Sequence, residues 1–135
     1  MLIVDTSVLF AAINSRETHH QACAELLRAE TRLVLPAPVV TETCMMLERR
    51  IGPEHEARFL DVICRGAFEI TDLDATGYKR AAELVAEYAD LALGFVDSAV
   101  IAVAERLRAT RLATLNRRDF TVVRPAHAEN LTLVP

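Results

Sequence analysis

The sequence predicts an α/β fold in which helices cover both faces of a mostly parallel sheet. Short apolar runs alternate with longer segments of helical periodicity along the chain, which is the order that a parallel sheet requires. Pro36 and the pair Gly52 and Pro53 mark boundaries between such segments. A chain of 135 residues can bury one core without disulfides or metals, so we predict one domain over residues 1–135.

The apolar runs predict the strands. Leu2–Val4 predicts a buried first strand rather than a signal peptide, because Asp5 follows it and no basic segment precedes it. Further strands are predicted at Leu33–Leu35, Phe68–Ile70 and Leu112–Thr114, and the candidates for a last short strand are Val122–Val123 and Leu131–Val134.

The segments between the strands predict helices. Pro38 suits the first position of a long helix that runs to about Arg50, and Asp74 or Thr76 can cap a helix that runs to about Tyr88. The other helices are predicted at Thr6–Ile13, His20–Ala29, Glu54–Cys64 and Val96–Leu107. The last of these is strongly apolar, so we expect it to be the buried one.

Composition limits the classes of protein to which the chain can belong. Hydrophobic residues make up 52% and charged residues 25%, which is typical of a globular protein. A net charge of −4 argues against a chain that coats nucleic acid by bulk charge, although it permits a local RNA-binding patch. The 3 cysteines are widely spaced and predict reduced thiols in a cytoplasmic protein. No apolar run approaches the roughly 18 residues of a membrane span.

Two carboxylates are candidate active-site residues. Asp5 follows the first strand directly, at the sheet edge where open parallel sheets hold their active sites; it can equally serve as an N-cap. Asp97 lies near the start of the most apolar helix, and no arginine or lysine lies within a turn of it. The helix dipole favours a negative charge there, but burial of an unpaired carboxylate is costly.

Two further acids extend this set. Glu42 lies about one turn into the helix that begins at Pro38, among apolar or small neighbours, although a surface glutamate on an amphipathic helix is the alternative. Asp119 lies in a polar segment after the strand that ends near Thr114, together with Asn116. A polar turn after a strand is ordinary, so this segment gains weight only as a member of the set.

The four acids share one placement, at strand ends or helix starts along the carboxyl edge of the predicted sheet: Asp5, Glu42, Asp97 and Asp119. Carboxylates that lie close together at one edge repel one another, and no histidine or lysine lies among them. A divalent cation relieves this repulsion, and ligation by oxygen alone selects Mg²⁺ or Mn²⁺ rather than zinc. Metals held in this way suit phosphoryl chemistry.

At this point the chain resembles a known family. The segments Val4–Leu9, Phe95–Ala99 and Thr114–Phe120, with Glu42 between the first two, resemble the PIN-domain nucleases in order and spacing. The short single-domain form resembles the VapC toxins of bacterial VapBC toxin–antitoxin pairs, and the resemblance covers essentially the whole chain.

The resemblance implies a PIN-like three-layer α/β/α fold with a four- to five-stranded, mostly parallel sheet. It implies a homodimer with Mg²⁺- or Mn²⁺-dependent endoribonuclease activity on structured RNA, either tRNA or rRNA. It also implies that the chain is the toxin of a type II toxin–antitoxin pair. The partner would be a VapB-type antitoxin whose C-terminal segment lies in the groove of the acids.

The resemblance also implies roles for individual residues. Asp5 and Asp97 would bind the metal directly, and Glu42 and Asp119 would complete the site partly through water. The residues that would hold these acids by hydrogen bonds are Thr6, Ser7, Thr114 and Asn116. Many relatives carry Asp where this chain has Asn116, and others carry Asn there with Asp three residues later, so the fourth acid is placed at Asp119. Apart from the resemblance, the candidate RNA-backbone contacts are Arg49, Arg117, Arg118 and Arg124, and solvated surface charge is the alternative for each.

Two alternatives come from other classes of protein. A PIN-like module that has lost turnover and only binds RNA or protein is one, and Asn116 is its one argument. A phosphatase of the haloacid-dehalogenase type also begins with an Asp after a first strand, but it needs a second Asp two positions on, where this chain has Ser7. Nucleotide-binding loops of the GxxxxGK[ST] and GxGxxG types do not occur.

Overall fold

The computed structural model describes residues 1–135 and contains one sheet of 5 strands. The strands are β1 (Leu2–Val4), β2 (Leu33–Pro36), β3 (Glu69–Thr71), β4 (Arg111–Ala113) and β5 (Thr132–Val134). Their order across the sheet is β3-β2-β1-β4-β5, and every neighbouring pair is parallel. The predicted α/β fold with a parallel sheet is confirmed.

Seven α-helices connect the strands: α1 (Thr6–Ile13), α2 (His20–Ala29), α3 (Ala37–Arg50), α4 (Pro53–Cys64), α5 (Ala75–Glu87), α6 (Phe95–Leu107) and α7 (Arg117–Val122). A short 3-10 turn, Ala89–Leu91, joins α5 to α6. Prolines lie in the first turns of α3 and α4, and Asp74 caps α5 by accepting a hydrogen bond of 2.8 Å from the Gly77 amide. None of these helices is long and apolar enough to cross a membrane.

One predicted strand segment was wrong. Val122 is the last residue of α7, and Val123 follows as its C-cap, so the last strand consists of Thr132–Val134 alone. The physical reason is local, because the Asn116 side chain caps a short helix that reaches Val122 before the chain can extend. Val123 is buried in the hydrophobic core and pairs with no strand.

The core is built on the central strands and on α6. Leu2–Val4 is fully buried, as a strand with neighbours on both sides and helices above and below it must be. In α6 the seven residues Ser98–Ala104 are all buried, which confirms the prediction that this helix is the buried one. Burial of each large side chain contributes about 1.5–3 kcal/mol, so α6 is fixed firmly beneath the carboxyl edge of the sheet.

The strand order explains where a site forms. From β1 the chain moves outward to β2 and β3, and it then crosses back to place β4 on the other side of β1. The crevice between β1 and β4 is therefore a topological switch point, where ligands of open α/β sheets bind beyond the carboxyl ends of the strands. Asp5 and Thr114 are the residues that follow β1 and β4 at this crevice.

Candidate active site

Asp5 lies at the switch point with its carboxylate fixed by two hydroxyls. Its backbone N–H donates to the Ala113 carbonyl at 2.9 Å, which extends the β1–β4 pairing to the last residue before the crevice. Its Oδ2 accepts hydrogen bonds from Ser7 Oγ at 2.8 Å and from Thr114 Oγ1 at 2.9 Å. The side chain makes no capping hydrogen bond to α1, so the structure gives the N-cap interpretation no support.

The two hydroxyls are themselves held by backbone amides after β4. The Leu115 amide donates to Ser7 Oγ at 2.9 Å, and the Asn116 amide donates to Thr114 Oγ1 at 3.0 Å. Because each hydroxyl has one proton and gives it to Asp5, its remaining capacity is to accept from these amides. The network fixes Oδ2 of Asp5 and leaves Oδ1 without a hydrogen bond from the protein.

Thr6 differs from the other residues predicted to hold the acids. Its side chain is buried, and its Oγ1 has no hydrogen-bond partner. Thr43 and Ser98, which directly follow Glu42 and Asp97 in the chain, share this property. Of the three predicted hydroxyls, the structure therefore gives Ser7 and Thr114 the contact with an acid and gives Thr6 none.

Asp97 lies in the first turn of α6 and is partly buried. Burial, together with the negative charges of Asp5, Glu42 and Asp119, raises the pKa of this carboxyl to about 7. Asp5 follows β1, Glu42 lies in α3, and Asp119 lies in the first turn of α7. The structure thus brings the four predicted carboxylates into one electrostatic cluster, which we call the acid cluster.

Asn116 and Asp119 form a pair at the start of α7. Asn116 Nδ2 donates to Asp119 Oδ2 at 2.9 Å, and the Asp119 amide donates to Asn116 Oδ1 at 3.5 Å. Both ends of the Asn116 side chain are therefore engaged in holding Asp119 and capping the helix. Asp119 keeps its Oδ1, whose nearest cation is Arg118 Nε at 3.9 Å. The acid in this segment that remains free to face the cluster is Asp119.

No cation neutralises the centre of the acid cluster. Asp5, Glu42 and Asp97 form no ion pair, and the one pair at its rim involves Arg118, whose side chain is 85% exposed. Such an exposed pair contributes little, because solvent screens it. The fold therefore places three carboxylates together without neutralising them, which is unfavourable unless a positive ligand binds.

The donor set fits a hard divalent cation. All four groups are carboxylates, and the free Oδ1 of Asp5 is fixed from behind by Ser7 and Thr114. No three acidic, histidine or cysteine side chains lie close enough to hold an ion by themselves. This arrangement suits Mg²⁺, which keeps several waters and takes one or two protein carboxylates, better than it suits an ion that requires a complete protein cage.

The predicted arginines have different surroundings. Arg117 donates to the carbonyls of Leu133 and Pro135, so its guanidinium is engaged with β5 and the residue after it. Arg124 is engaged with Thr121 and Asn130. Arg49 and Arg118 are exposed, and Arg49 forms no ion pair.

Sequence reasoning missed a groove beside the acid cluster. The groove has a volume of about 550 Å³ and is lined by α3, by the start of α6, and by Asp72 and Tyr78; Glu42 belongs to both the groove and the cluster. Tyr78 and Phe95 stack within it. An aromatic side chain at the first position of α6, two residues before Asp97, was the available signal.

Solved structures with the same fold are toxins and toxin–antitoxin complexes. The Sarcin-Ricin loop cleaving toxin VapC20 of Mycobacterium tuberculosis superposes with a TM-score of 0.85 at 19% identity, covering 96% of this chain and 99% of that one. A toxin–antitoxin complex from Klebsiella pneumoniae gives 0.71 at 19% identity, covering 98% and 100%. VapBC2 of Rickettsia felis, bound to a promoter DNA fragment, gives 0.71 at 22% identity, covering 99% and 98%.

Sequence comparison identifies the family itself. The family model described as PIN domain matches residues 2–124. The chain is also 31% identical to Ribonuclease VapC26 of Mycobacterium tuberculosis over 135 residues, which is 99% of this chain and 100% of that protein. Both findings confirm the resemblance that the sequence motifs indicated. The chain belongs to the PIN-domain family, within its VapC-type branch.

Proposed function

We propose that the chain is a Mg²⁺- or Mn²⁺-dependent endoribonuclease whose active site is the acid cluster. The observation that carries the proposal is the set of four carboxylates that separate elements bring around Asp97 with no cation at their centre. Membership of the PIN-domain family and the similarity to a named ribonuclease support the same activity. Phosphodiester hydrolysis suits a metal ion that is bound by one or two carboxylates and keeps several waters, and the acid cluster provides such carboxylates.

In this proposal Asp5 and Asp97 would hold the metal, which when bound would activate a water and neutralise charge on the scissile phosphate. Ser7 and Thr114 fix Asp5 so that Oδ1 points toward the ligand. Glu42 or Asp97 orients the attacking water and accepts its proton, and Asp119 completes the site. Water adds to phosphorus in line, the bond to the 3′ oxygen breaks, and the products carry a 5′-phosphate and a 3′-hydroxyl.

The relatives support a choice of substrate and partners for this proposal. VapC20 is described as cleaving the Sarcin-Ricin loop, which makes a ribosomal RNA stem-loop the first structured RNA to test, with tRNA as the second. The toxin–antitoxin complexes among the structural neighbours support a role as the toxin of such a pair, with a VapB-type antitoxin as partner. A homodimer as the working form is part of the same proposal. The unpaired thiols fit action in the cytoplasm.

The test compares cleavage of a ribosomal stem-loop RNA by the wild type, by Asp97→Asn and by Asp90→Asn. Asp90 is a matched control because it is an exposed aspartate in the 3-10 turn, away from the acid cluster. We expect the wild type and Asp90→Asn to cut only with Mg²⁺ or Mn²⁺, and Asp97→Asn to lose more than about a hundredfold in rate. Equal cutting in EDTA, or by Asp97→Asn, would contradict the proposal.

The same variants separate the enzyme from a PIN-like module that only binds. A binding module would bind the stem-loop RNA without cutting it in either metal, and its affinity would not depend on Asp97. The position of Asn116 does not favour that alternative, because its side chain holds Asp119 in place and Asp119 retains a free oxygen.

A further inference from the structure

A small polar pocket lies where the end of α1, the end of α3 and the first turn of α4 meet. Its volume is about 270 Å³, and no carboxylate lines it. The polar side chains of its lining are Asn14, Ser15, Arg16, Arg50 and His55. We call it the arginine pocket, because it presents two guanidiniums without an acid although the net charge of the chain is −4.

An aromatic ring rather than an acid holds Arg50 in the arginine pocket. Its guanidinium lies 5.3 Å from the centroid of the Phe10 ring, and Phe10 is a buried residue of α1. A cation–π contact orients a guanidinium but does not supply the acceptors that its N–H groups need. Because Arg50 forms no ion pair, these donors remain available to a ligand.

Arg16 is the second cation of the arginine pocket. It lies in the turn between α1 and α2, where its amide donates to Asn14 Oδ1 at 3.2 Å. Glu17, the acid of the same turn, accepts from Asn14 Nδ2 at 3.5 Å and does not line the pocket. In another polar pocket of the molecule, by contrast, Arg80 pairs with Glu105 at 2.8 Å. Two guanidiniums without a carboxylate in one pocket therefore indicate an anionic ligand.

The arginine pocket is within reach of an RNA that is bound at the acid cluster. Asp5 directly precedes α1, which has 8 residues, and the pocket lies at the other end of that helix. Glu42 and Arg50 lie on the same helix, α3. A rise of 1.5 Å per residue makes both separations roughly 12 Å along the helix axis. Successive phosphates of a helical strand advance about 3.4 Å along its axis, so roughly four nucleotides cover this distance.

We propose that the arginine pocket binds a phosphate of the RNA substrate, roughly four nucleotides from the scissile one. Arg16 and Arg50 donate to the phosphate oxygens, and Ser15 and His55 are available to donate to the same phosphate or to its ribose. The inference rests on the proposed nuclease function, because it takes the substrate to be RNA. Its residues lie outside the acid cluster, so they act on binding of the substrate and not on the chemical step.

The arginine pocket and the groove beside the acid cluster lie on different faces of α3. Arg49 lines the groove and Arg50 lines the pocket, and consecutive residues of a helix point about 100° apart. Burial of the groove in a homodimer therefore does not by itself cover the pocket.

An acidic segment of a partner protein is the competing occupant, because a carboxylate also suits a guanidinium. Two observations favour a phosphate. One phosphate has enough oxygens for both guanidiniums, whereas a single fork from one arginine satisfies a carboxylate. RNA also carries its charges at a regular spacing, so one substrate molecule reaches the arginine pocket and the acid cluster together.

The test measures RNA binding in the non-cleaving Asp97→Asn protein with Mg²⁺ present. The probe is the fluorescein-labelled ribosomal stem-loop RNA, and its anisotropy is followed at several KCl concentrations. We expect Arg16→Gln and Arg50→Gln each to weaken binding by about tenfold. Each should also reduce the slope of log affinity against log salt by about 0.7–0.9. Arg108→Gln is the matched control, because Arg108 is exposed, forms no ion pair and lines no pocket.

Two further measurements separate loss of a ligand contact from loss of structure. Arg50→Gln also removes the contact with Phe10, whereas Arg16→Gln leaves that contact in place, so Arg16→Gln should keep the wild-type Tm. In the protein with Asp97 intact, Arg16→Gln should raise KM for RNA cleavage by about tenfold and leave kcat unchanged. Arg50→Lys should recover only part of the affinity, because it keeps the charge but loses the planar fork.

Two results would overturn the proposal. The first is RNA binding by Arg16→Gln and Arg50→Gln that equals binding by Arg108→Gln. The second is a loss that is confined to a ten-residue oligoglutamate peptide in the same assay, which would assign the pocket to an acidic protein segment. Failure of the proposed function is separate, because it would appear as an absence of metal-dependent cutting by the wild type whatever the variants do to RNA binding.

Discussion

The carboxylates at the carboxyl edge of the sheet differ from those elsewhere on the molecule. Glu30, Glu69 and Glu105 are each paired with an arginine, at 2.6, 2.9 and 2.8 Å respectively. The arginine hydrogen bonds lower the pKa values of Glu30 and Glu69 below their usual range. Asp97 has no such partner, and its pKa is raised to about 7.

This difference separates two uses of acidic residues in one fold. The paired glutamates join separate parts of the chain through their arginines, so each pair contributes to the folded state. The acid cluster opposes the folded state until a positive ligand binds, and its cost is tolerated because α6 and the central strands are well buried. Acids that stabilise the fold therefore lie next to arginines, whereas Asp5, Glu42 and Asp97 at the centre of the acid cluster form no ion pair.

Among residues that support the acids rather than belong to the cluster, the largest effect is expected at the two hydroxyls that hold Asp5. Ser7→Ala and Thr114→Val each remove one of the two donors to Asp5 Oδ2. We expect each substitution to lower metal affinity or cleavage rate by about 10- to 100-fold, as changes to groups that support metal ligands do. Steady-state cleavage at several Mg²⁺ concentrations measures this, and wild-type rates in both variants would refute the positioning role.

On the paired side, Glu105 should matter for stability and not for activity. Its carboxylate accepts two hydrogen bonds from Arg80 and one from the Ala126 amide. Glu105→Gln should lower the free energy of unfolding by about 1–2 kcal/mol, since it weakens these bonds. Urea unfolding measures the change. If the folded Glu105→Gln protein lost cleavage activity, the proposed distinction between arginine-paired acids and the acid cluster would be wrong.

The raised pKa of Asp97 predicts an unusual pH dependence for the metal-free protein. A carboxyl with a pKa near 7 in the folded state and near 3.8 in the unfolded state binds its proton more tightly when folded. Its contribution to the free energy of unfolding therefore increases as pH falls from about 7 to about 4, and is constant above about 7. With solvent screening the change is on the order of 1–2 kcal/mol.

Urea unfolding in EDTA at pH 5 and pH 8 checks this sign. Asp97→Asn should lack the change and should be more stable than the wild type at pH 8. Asp90→Asn should behave like the wild type. The contrary result is a wild type that loses stability from pH 8 to pH 5 by the same amount as Asp97→Asn. It would show that the charge of Asp97 does not destabilise the folded state.

The smallest effect is expected at the most exposed pair. Arg32 and Glu69 keep about half of their side chains in water, so solvent screens their attraction. Glu69→Gln should shift Tm by no more than about 2 °C. Differential scanning calorimetry measures it, and a shift as large as that of Glu105→Gln would remove the distinction between partly buried and exposed pairs.

Sequence patterns could predict much of this fold because each strand is a short buried run between helices of clear periodicity. They failed at Val122–Val123, where a six-residue helix capped by Asn116 replaces the strand that two valines suggest. One side-chain cap makes this segment helical, and the pattern of apolar residues contains no information about such a cap.

The acid cluster could be predicted as a set because parallel strands bring their carboxyl ends to one edge. The finer contacts could not. The sequence treats Thr6, Ser7 and Thr114 alike, and only the geometry after β4 shows that Ser7 and Thr114 hold Asp5 whereas Thr6 has no partner. Phe95 near Asp97 is a sequence signal for the groove, but its stacking on Tyr78 joins two helices and cannot be read from a local pattern.

The central claim is that the acid cluster is an electrostatically strained site for a divalent cation. The most direct measurement is the Tm of the wild type, Asp97→Asn and Asp90→Asn at pH 8, in EDTA and in increasing Mg²⁺ or Mn²⁺. The account predicts that metal raises the Tm of the wild type and of Asp90→Asn. The Tm of Asp97→Asn should be higher than that of the wild type in EDTA and should hardly change when metal is added. Equal responses to metal in all three proteins, or none in the wild type, would contradict it.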